Sequence, residues 1–320
     1  MAHTAISSEA LSHTTSSRTS LAAAYLVLAK PRVSVMVLIT AAAGLYLGDL
    51  RSGVSPFHLD SLITLAGIAI VTLGSSVLNQ VLERRSDALM TRTRLRPMVT
   101  GRIGLAHGLL LGFGAIISGS VLLAARANLL TGTLTLLTAV GYVAIYTPLK
   151  RITSLNTFIG AFPGALPPLI GWTAARGVLE WPGVSLFAVL FVWQFPHFMS
   201  IGWLYRDEYR NGGIRLAATQ QPIAWAARST VFQALFYVVL MLPVSLWPSF
   251  LHVTGTAYTI AAVLLWCGYF LFTVSFAAIL RDPAAQGTRS AARNLLKASV
   301  IYLPLLLTAM IADAQGRVVF

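Results

Sequence analysis

Apolar residues run along this chain in long blocks, and short stretches rich in Gly, Pro, Ser, Arg and carboxylates separate them. The blocks predict nine spans at 33–49, 61–82, 105–125, 129–147, 156–175, 184–204, 229–248, 255–280 and 296–314. Each is long enough to cross a hydrocarbon core as a helix, for which about 17–25 residues suffice. Strands of a membrane barrel would instead alternate polar and apolar positions, and these blocks do not. Pro163, Gly164, Pro167, Pro168, Pro196 and Pro243 fall inside spans. There they mark kinks or close helix approaches, which helices in membranes tolerate because neighbours satisfy the freed backbone groups. Residues 1–24, rich in Ser, Thr and Ala, read as a disordered tail. Residues 25–320 read as a single transmembrane domain.

Composition agrees with this pattern. The chain is 56% hydrophobic and 10% charged, against about 25% charged in a soluble domain. Mean hydropathy is +0.75. The single cysteine, Cys267, lies in an apolar run, which leaves neither a disulfide framework nor a thiolate metal cluster. No cleavable signal pattern precedes the first span, and Glu9 with a lone Arg18 makes a poor mitochondrial presequence.

A net charge of +13 raises the question of nucleic acid. The nine-span arrangement answers it. All basic residues except Arg51, Arg126, Arg176 and Arg317 fall on one side, with the N-terminus on that side and the C-terminus opposite. Basic loops mark the cytoplasmic face, so the charge needs no nucleic-acid partner, and the N-terminus is expected to be cytoplasmic.

Candidate chemistry collects on that same side. Asn79, Glu83 and Asp87 end the second span at spacings of four, which puts them on one helical face about 6 Å apart. Two carboxylates and an amide suit Mg²⁺, which binds a few carboxylates beside substrate phosphate oxygens. Arg84, Arg85, Arg92, Arg94, Arg96 and Arg102 follow. Their guanidinium groups offer bidentate contacts to phosphate that lysine cannot make. Lys150 and Arg151, after the fourth span, are a second candidate clamp. The sixth span ends in Asp207 and Glu208 beside Arg206, the second acidic cluster on this side. Two half-sites facing one another across one cavity account for both clusters. Inside the sixth span, His197 is an intramembrane polar residue that needs a partner. Heme ligation and proton transfer are both open to it.

On these residues the chain resembles the protoheme IX farnesyltransferase (heme O synthase) family, within the UbiA-type intramembrane prenyltransferases. The stretches that carry the resemblance are NQVLERRSDALMTRTRLRPMVTGRI (79–103), YTPLKRITSLNTFIGAFPGALPPLIGWTAA (146–175) and WQFPHFMSIGWLYRDEYRNGG (193–213). The resemblance implies an all-α membrane fold of nine helices around a central cavity. It implies transfer of the farnesyl group of farnesyl diphosphate to a vinyl side chain of heme b, giving heme O and diphosphate in heme A biosynthesis. Mg²⁺ is then the cofactor, farnesyl diphosphate and heme b are the substrates, and a heme A synthase is a candidate partner. Carried over residue by residue, Asn79, Glu83 and Asp87 form the first metal–diphosphate half-site, and Asp207 and Glu208 match the second acidic motif. Arg92, Arg96, Lys150, Arg151 and Arg206 fall to substrate binding. Tyr146, Tyr205 and Tyr209 stand at the rim, where one can face the cation, and His197 is the candidate heme contact. The implied location is the bacterial inner membrane, with the mitochondrial inner membrane as the alternative.

Two departures from the wider pattern stand out. Four residues past Asp207 is Asn211 and past Glu208 is Gly212, so the second motif lacks a paired D-x-x-x-D, which bears on the metal count. Arg215 stands where bacterial relatives often carry Pro. Two other functions compete. A prenyltransferase acting on an aromatic ring shares the acidic motif, but Glu83 and the QFPHF stretch argue against it. A transporter without chemistry would spread its charges along a path through the membrane, whereas here the acidic clusters gather at one side.

Overall fold

The computed structural model describes residues 20–56, 58–285 and 287–315. Among these residues, nine helices are long and apolar enough to cross a membrane. They are Pro31–Ser52, Leu59–Asp87, Leu105–Arg126, Leu129–Leu149, Asn156–Arg176, Trp181–Leu204, Ile223–Phe250, Thr256–Leu280 and Gly287–Ala312. Every predicted span finds its helix. The largest shift is at the start of the ninth, expected at 296 and observed at Gly287. Its extra turns bury Thr288, Ala292 and Leu295 and expose Arg289 and Arg293. That pattern is amphipathic, so a search for uniformly apolar runs passes over it. Of the expected tail 1–24, residues 1–19 lie outside the described residues. From Leu21 the chain is a helix, Leu21–Leu28, capped by the Ser20 side chain and burying Ala24 and Leu28.

Sequence neighbours pack as antiparallel pairs: second with third, sixth with seventh, eighth with ninth. The first span packs along the fifth, and the ninth returns to the sixth, which closes the bundle. Lipid tails are as apolar as leucine, so close packing of small residues must hold such helices together. Gly44 shows how tight the crossing of first and fifth spans is. A Cβ placed there would run into the backbone carbonyl of Pro168. Among the described residues the largest core lies between the first span and the fifth to ninth, and buries Trp172, Trp203, Tyr258, Tyr269, Met241 and Leu303. Large side chains such as Leu62, Leu110, Leu264 and Phe232 face outward, as a lipid-exposed surface requires.

The two ends of the bundle differ in kind. At the end opposite the basic loops, the turn between fifth and sixth spans is held by a bidentate pair. Arg176 Nε and Nη2 reach the Glu180 carboxylate at 2.9 and 3.0 Å, and Trp172 Nε1 donates to it at 2.9 Å. The Arg176 hydrogen bond holds the Glu180 carboxyl below the usual carboxylate range. At the basic end, the second span runs on as helix through Asp87, beyond the predicted 82, and carries its acidic residues with it.

Candidate active site

Three spans deliver the central groups. The second presents Asn79, Glu83 and Asp87 on one face, as their spacing requires. The fourth changes register before it arrives. Its α-helix ends at Val140, a π-helical stretch occupies Gly141–Tyr146, and a last α turn, Thr147–Leu149, leads to Lys150. Single π turns within α-helices recur at functional sites. The first span is preceded by Lys30 in a left-handed conformation, φ +46°. Non-glycine residues adopt this uncommonly, and the turn it makes sends the Lys30 side chain into the bundle.

The result is a row of three oxygen groups, each matched to a cation. Lys30 Nζ donates to Asn79 Oδ1 at 2.5 Å. Lys150 Nζ lies 2.7 Å from Glu83 Oε1, and Arg96 Nη1 lies 2.7 Å from Asp87 Oδ2. Lys30 and Lys150 lie 49 and 67 positions along the chain from their partners, whereas Arg96 returns from the loop nine residues after Asp87. Asn79 Nδ2 donates to Thr147 Oγ1 at 3.1 Å, which holds its oxygen towards Lys30. Burial pulls the pKa of Lys30 below the ordinary lysine value. Burial acts the same way on Lys150, but the Tyr146 oxygen and the Glu83 carboxylate outweigh it and raise its pKa. Lys150 therefore stays charged, stacked 4.4 Å from the centre of the Tyr146 ring.

Two cavities adjoin at Tyr146 and Phe198, which line both. The outer one, about 220 Å³, has Arg92, Lys150, Asn156 and Tyr209 in its wall. The inner one, about 300 Å³, lies among the first, second, fourth, fifth and sixth spans. Its wall is mainly apolar, with Val37, Ile68, Val71, Pro163, Pro167 and Ile170. Gly160 makes room for the ring between them, since a Cβ at Gly160 would overlap Tyr146.

The remaining predicted residues divide. Arg92 belongs to the site. Its guanidinium sits 5.2 Å from the Tyr205 ring centre and 5.8 Å from that of Tyr209. Its Nη2 is 3.4 Å from the Tyr209 hydroxyl. Arg151 is turned to the second span, with Nη2 2.5 Å from Ser86 Oγ. The second acidic cluster does not face the first across the cavity as expected. Glu208 accepts the Arg92 backbone N–H at 3.3 Å, so it anchors the arginine-rich loop. Asp207 has a side chain 74% exposed, 3.8 Å from Arg206. Neither lines a cavity described above, and nor do Asn79, Glu83 and Asp87; the short helix Arg206–Asn211 turns Asp207 to the surface and Glu208 to the loop. Arg206 itself stacks on Trp203 at 4.5 Å. His197 also departs from expectation. It is hydrogen-bonded to Ser299 Oγ at 2.8 Å and stacked on Trp193, towards the ninth span and outside both cavities. This intramembrane histidine has found its partner within the protein, so the heme contact expected of it is not where it points.

Sequence reasoning missed Lys30, Thr147 and Asn156. Lys30 looked like one more basic residue flanking a span, and only folding brings it 49 positions along the chain to Asn79. Thr147 and Asn156 are small polar residues inside otherwise recognisable stretches, with no charge to draw notice.

As a donor set for Mg²⁺, the three residues of the second span fit. They supply two carboxylates and an amide oxygen, hard ligands of the type that leaves room for phosphate oxygens and water. Among the described residues no group of three or more His, Cys, Asp or Glu comes together. An all-protein cage is therefore not built, and substrate oxygens would have to complete the coordination.

A row of paired cations and oxygens, whose Lys150 lines the outer of two adjoining cavities in a helical bundle, narrows the family. The model of the UbiA prenyltransferase family matches residues 37–296. The chain belongs to that family.

Within the UbiA family, the chain is similar to two proteins named protoheme IX farnesyltransferase. One, from Koribacter versatilis, is 43% identical over 294 residues, covering 90% of this chain and 92% of the relative. The other, from Solibacter usitatus, is 37% identical over 298 residues, covering 91% and 99%. Solved structures share the fold. A structure described in terms of digeranylgeranylglyceryl phosphate synthase superposes with a TM-score of 0.73 at 19% identity, covering 91% of this chain and 98% of the other. A UbiA homolog from Archaeoglobus fulgidus, bound to GPP and Mg²⁺, gives a TM-score of 0.58 at 14% identity, covering 90% and 99%. The fold is thus that of UbiA enzymes, and the chain is a prenyltransferase of this membrane family.

Proposed function

We propose that this protein transfers the farnesyl group of farnesyl diphosphate to a vinyl side chain of heme b, giving heme O and diphosphate. The observation that carries this reading is the near full-length similarity to proteins named protoheme IX farnesyltransferase. The geometry supports it. Diphosphate leaves only when its growing charge is neutralised, and fixed cations are most effective where water is excluded. Lys150 and Arg92 stand in the wall of the outer cavity, with Lys30 and Arg96 paired to neighbouring oxygens of the second span. The diphosphate belongs at that mouth. The farnesyl chain belongs in the inner cavity, whose apolar wall keeps water from an allylic cation. Tyr146, shared by both cavities, is placed to offer its π face to that cation.

Asn79, Glu83 and Asp87 would hold Mg²⁺. When bound, it would supply Lewis-acid neutralisation of the diphosphate charge. The pairs Lys30–Asn79, Lys150–Glu83 and Arg96–Asp87 then have a second use. Each cation can turn to a phosphate oxygen, which frees its own oxygen partner. Tyr205 and Tyr209, together with Glu208, hold Arg92 of the arginine-rich loop beside the mouth, and Arg206 stacks on Trp203 behind them. The chain acts within a bacterial inner membrane, with the basic end cytoplasmic.

An acceptor competition tests this reading. Membranes containing the protein receive farnesyl diphosphate, Mg²⁺, heme b and 4-hydroxybenzoate together. The expected result is a heme heavier by one hydroxyfarnesyl unit, with the aromatic acid untouched. Prenylated aromatic acid with unaltered heme b would replace this reading with that of a ring prenyltransferase.

A further inference from the structure

The inner cavity has a floor, and two helices give its depth. A Cβ at Gly160 would overlap the Tyr146 ring, so Gly160 stands level with the junction of the two cavities. The wall residue of the fifth span farthest from that junction is Ile170, ten positions on, which is about 15 Å of helix. The second span gives nearly the same depth. Asn79 donates to Thr147, next to Tyr146, and the farthest wall residue on that helix is Ile68, eleven positions away or about 16 Å. Ile68 and Ile170 end the cavity at one level, because both belong to one packed cluster with Ala41 and Leu123.

The wall closes towards that level. On the fifth span Gly164 is exposed and Pro163 half-buried, whereas Pro167 and Ile170 are buried. The floor is also braced from behind. A Cβ at Gly171 would strike the Ala41 backbone, and one at Gly67 would strike the Leu123 side chain. The first and third spans therefore press on the fifth and second beside the two isoleucines, which cannot be pushed deeper.

Chain length meets this depth in a simple way. With single bonds of about 1.5 Å, an extended carbon chain advances roughly 1.3 Å per bond. The main chain of a farnesyl group is then about 14 Å long, and that of a geranylgeranyl group about 19 Å. The shorter chain fits above Ile68 and Ile170, and the longer one overruns them by about 3–4 Å.

We infer that Ile68 and Ile170 form a floor that sets isoprenoid length, admitting a C15 chain and rejecting C20. The inference rests on the function proposed above, which puts the chain in this cavity with its cationic carbon at Tyr146. Beyond the floor, Leu65 packs against the same cluster and lines a further cavity of about 510 Å³ with Leu45 and Leu62. Ile68 is thus a partition with space on both sides, and shortening it opens a path for a longer chain.

Full-length wild type, Ile68→Ala and Thr72→Phe are incubated in membranes with heme b, Mg²⁺ and equal amounts of geranyl, farnesyl and geranylgeranyl diphosphate. Prenylated hemes are resolved by mass. Wild type is expected to favour C15 over C20 by roughly tenfold or more, the scale on which closed apolar pockets reject surplus carbon. Ile68→Ala is expected to lower that ratio about tenfold. Thr72 is half-buried in the cavity wall one turn nearer the mouth, so Thr72→Phe is expected to shift preference to the C10 substrate. Equal use of C15 and C20 by wild type, or an unchanged ratio in Ile68→Ala, would overturn the inference. If Ile68→Ala yields no product, Thr72→Phe decides, since a retained C15 preference overturns the floor and a C10 preference supports it. Thermal stabilisation of the purified proteins by each diphosphate reads the same preference without heme. A wild type that leaves heme b unaltered, yet is stabilised more by farnesyl than by geranylgeranyl diphosphate, would keep the floor and remove the proposed acceptor. Equal stabilisation by the two would remove the floor.

Discussion

At the scale of the residue, the site consists of three oxygen groups on one helical face, each satisfied by a cation from elsewhere. Asn79, Glu83 and Asp87 were legible in the sequence, because spacing of four is a statement about a helix and because carboxylates are scarce in so apolar a chain. Their partners were legible only as charge. Nothing local to Lys30 distinguishes it from a residue that merely anchors a span end, since its contact with Asn79 depends on a left-handed turn and a distant helix. Asp207 and Glu208 show the opposite failure, in which a motif-like pair is turned to the loop and to the surface. The two acidic clusters therefore differ in expected effect. Glu83→Gln removes the counter-charge of a largely buried lysine, and breaking such a pair costs about 3–5 kcal/mol. It is expected to abolish heme O formation, with protein level in the membrane checked by immunoblot. Asp207→Asn is expected to stay within about threefold of wild type, because exposed pairs contribute little. Equal losses in both variants would return Asp207 to a metal half-site.

At the scale of the element, apolar block length placed all nine spans, because crossing a bilayer demands length before any tertiary contact forms. Two local features were beyond that signal. The ninth span begins as an amphipathic helix whose exposed arginines lower its hydropathy. The fourth passes through a π-helical stretch, a register change that no composition announces, before delivering Thr147 and Lys150 to the second span. Packing between elements relies on small residues, and Gly44 gives a direct check. Gly44→Leu would have to displace the Pro168 backbone, with no flexible side chain to yield. The variant is expected to lose the folded bundle, read as loss of a monodisperse species in detergent by size-exclusion chromatography. Normal yield and a normal profile would mean that the first and fifth spans pack less closely than described.

At the scale of the whole molecule, the bundle separates two kinds of environment. The basic end gathers charge around the mouth, and the interior behind Tyr146 and Phe198 is a largely apolar cavity. The separation was legible in outline from the one-sided charge of the chain. Where the cavities join was not, since it depends on the packing of Tyr146, Gly160 and Phe198 from three spans. These parts serve one proposed reaction: an isoprenoid diphosphate is bound at the mouth and ionised, and its carbon chain is passed to a heme vinyl group. The most direct measurement is mass analysis of heme extracted from membranes of cells that express this chain and have no heme-farnesylating activity of their own. The expected result is a new heme, heavier than heme b by one hydroxyfarnesyl unit, that disappears in the Glu83→Gln variant. Heme b alone in cells that contain the intact, membrane-inserted wild-type protein would contradict it.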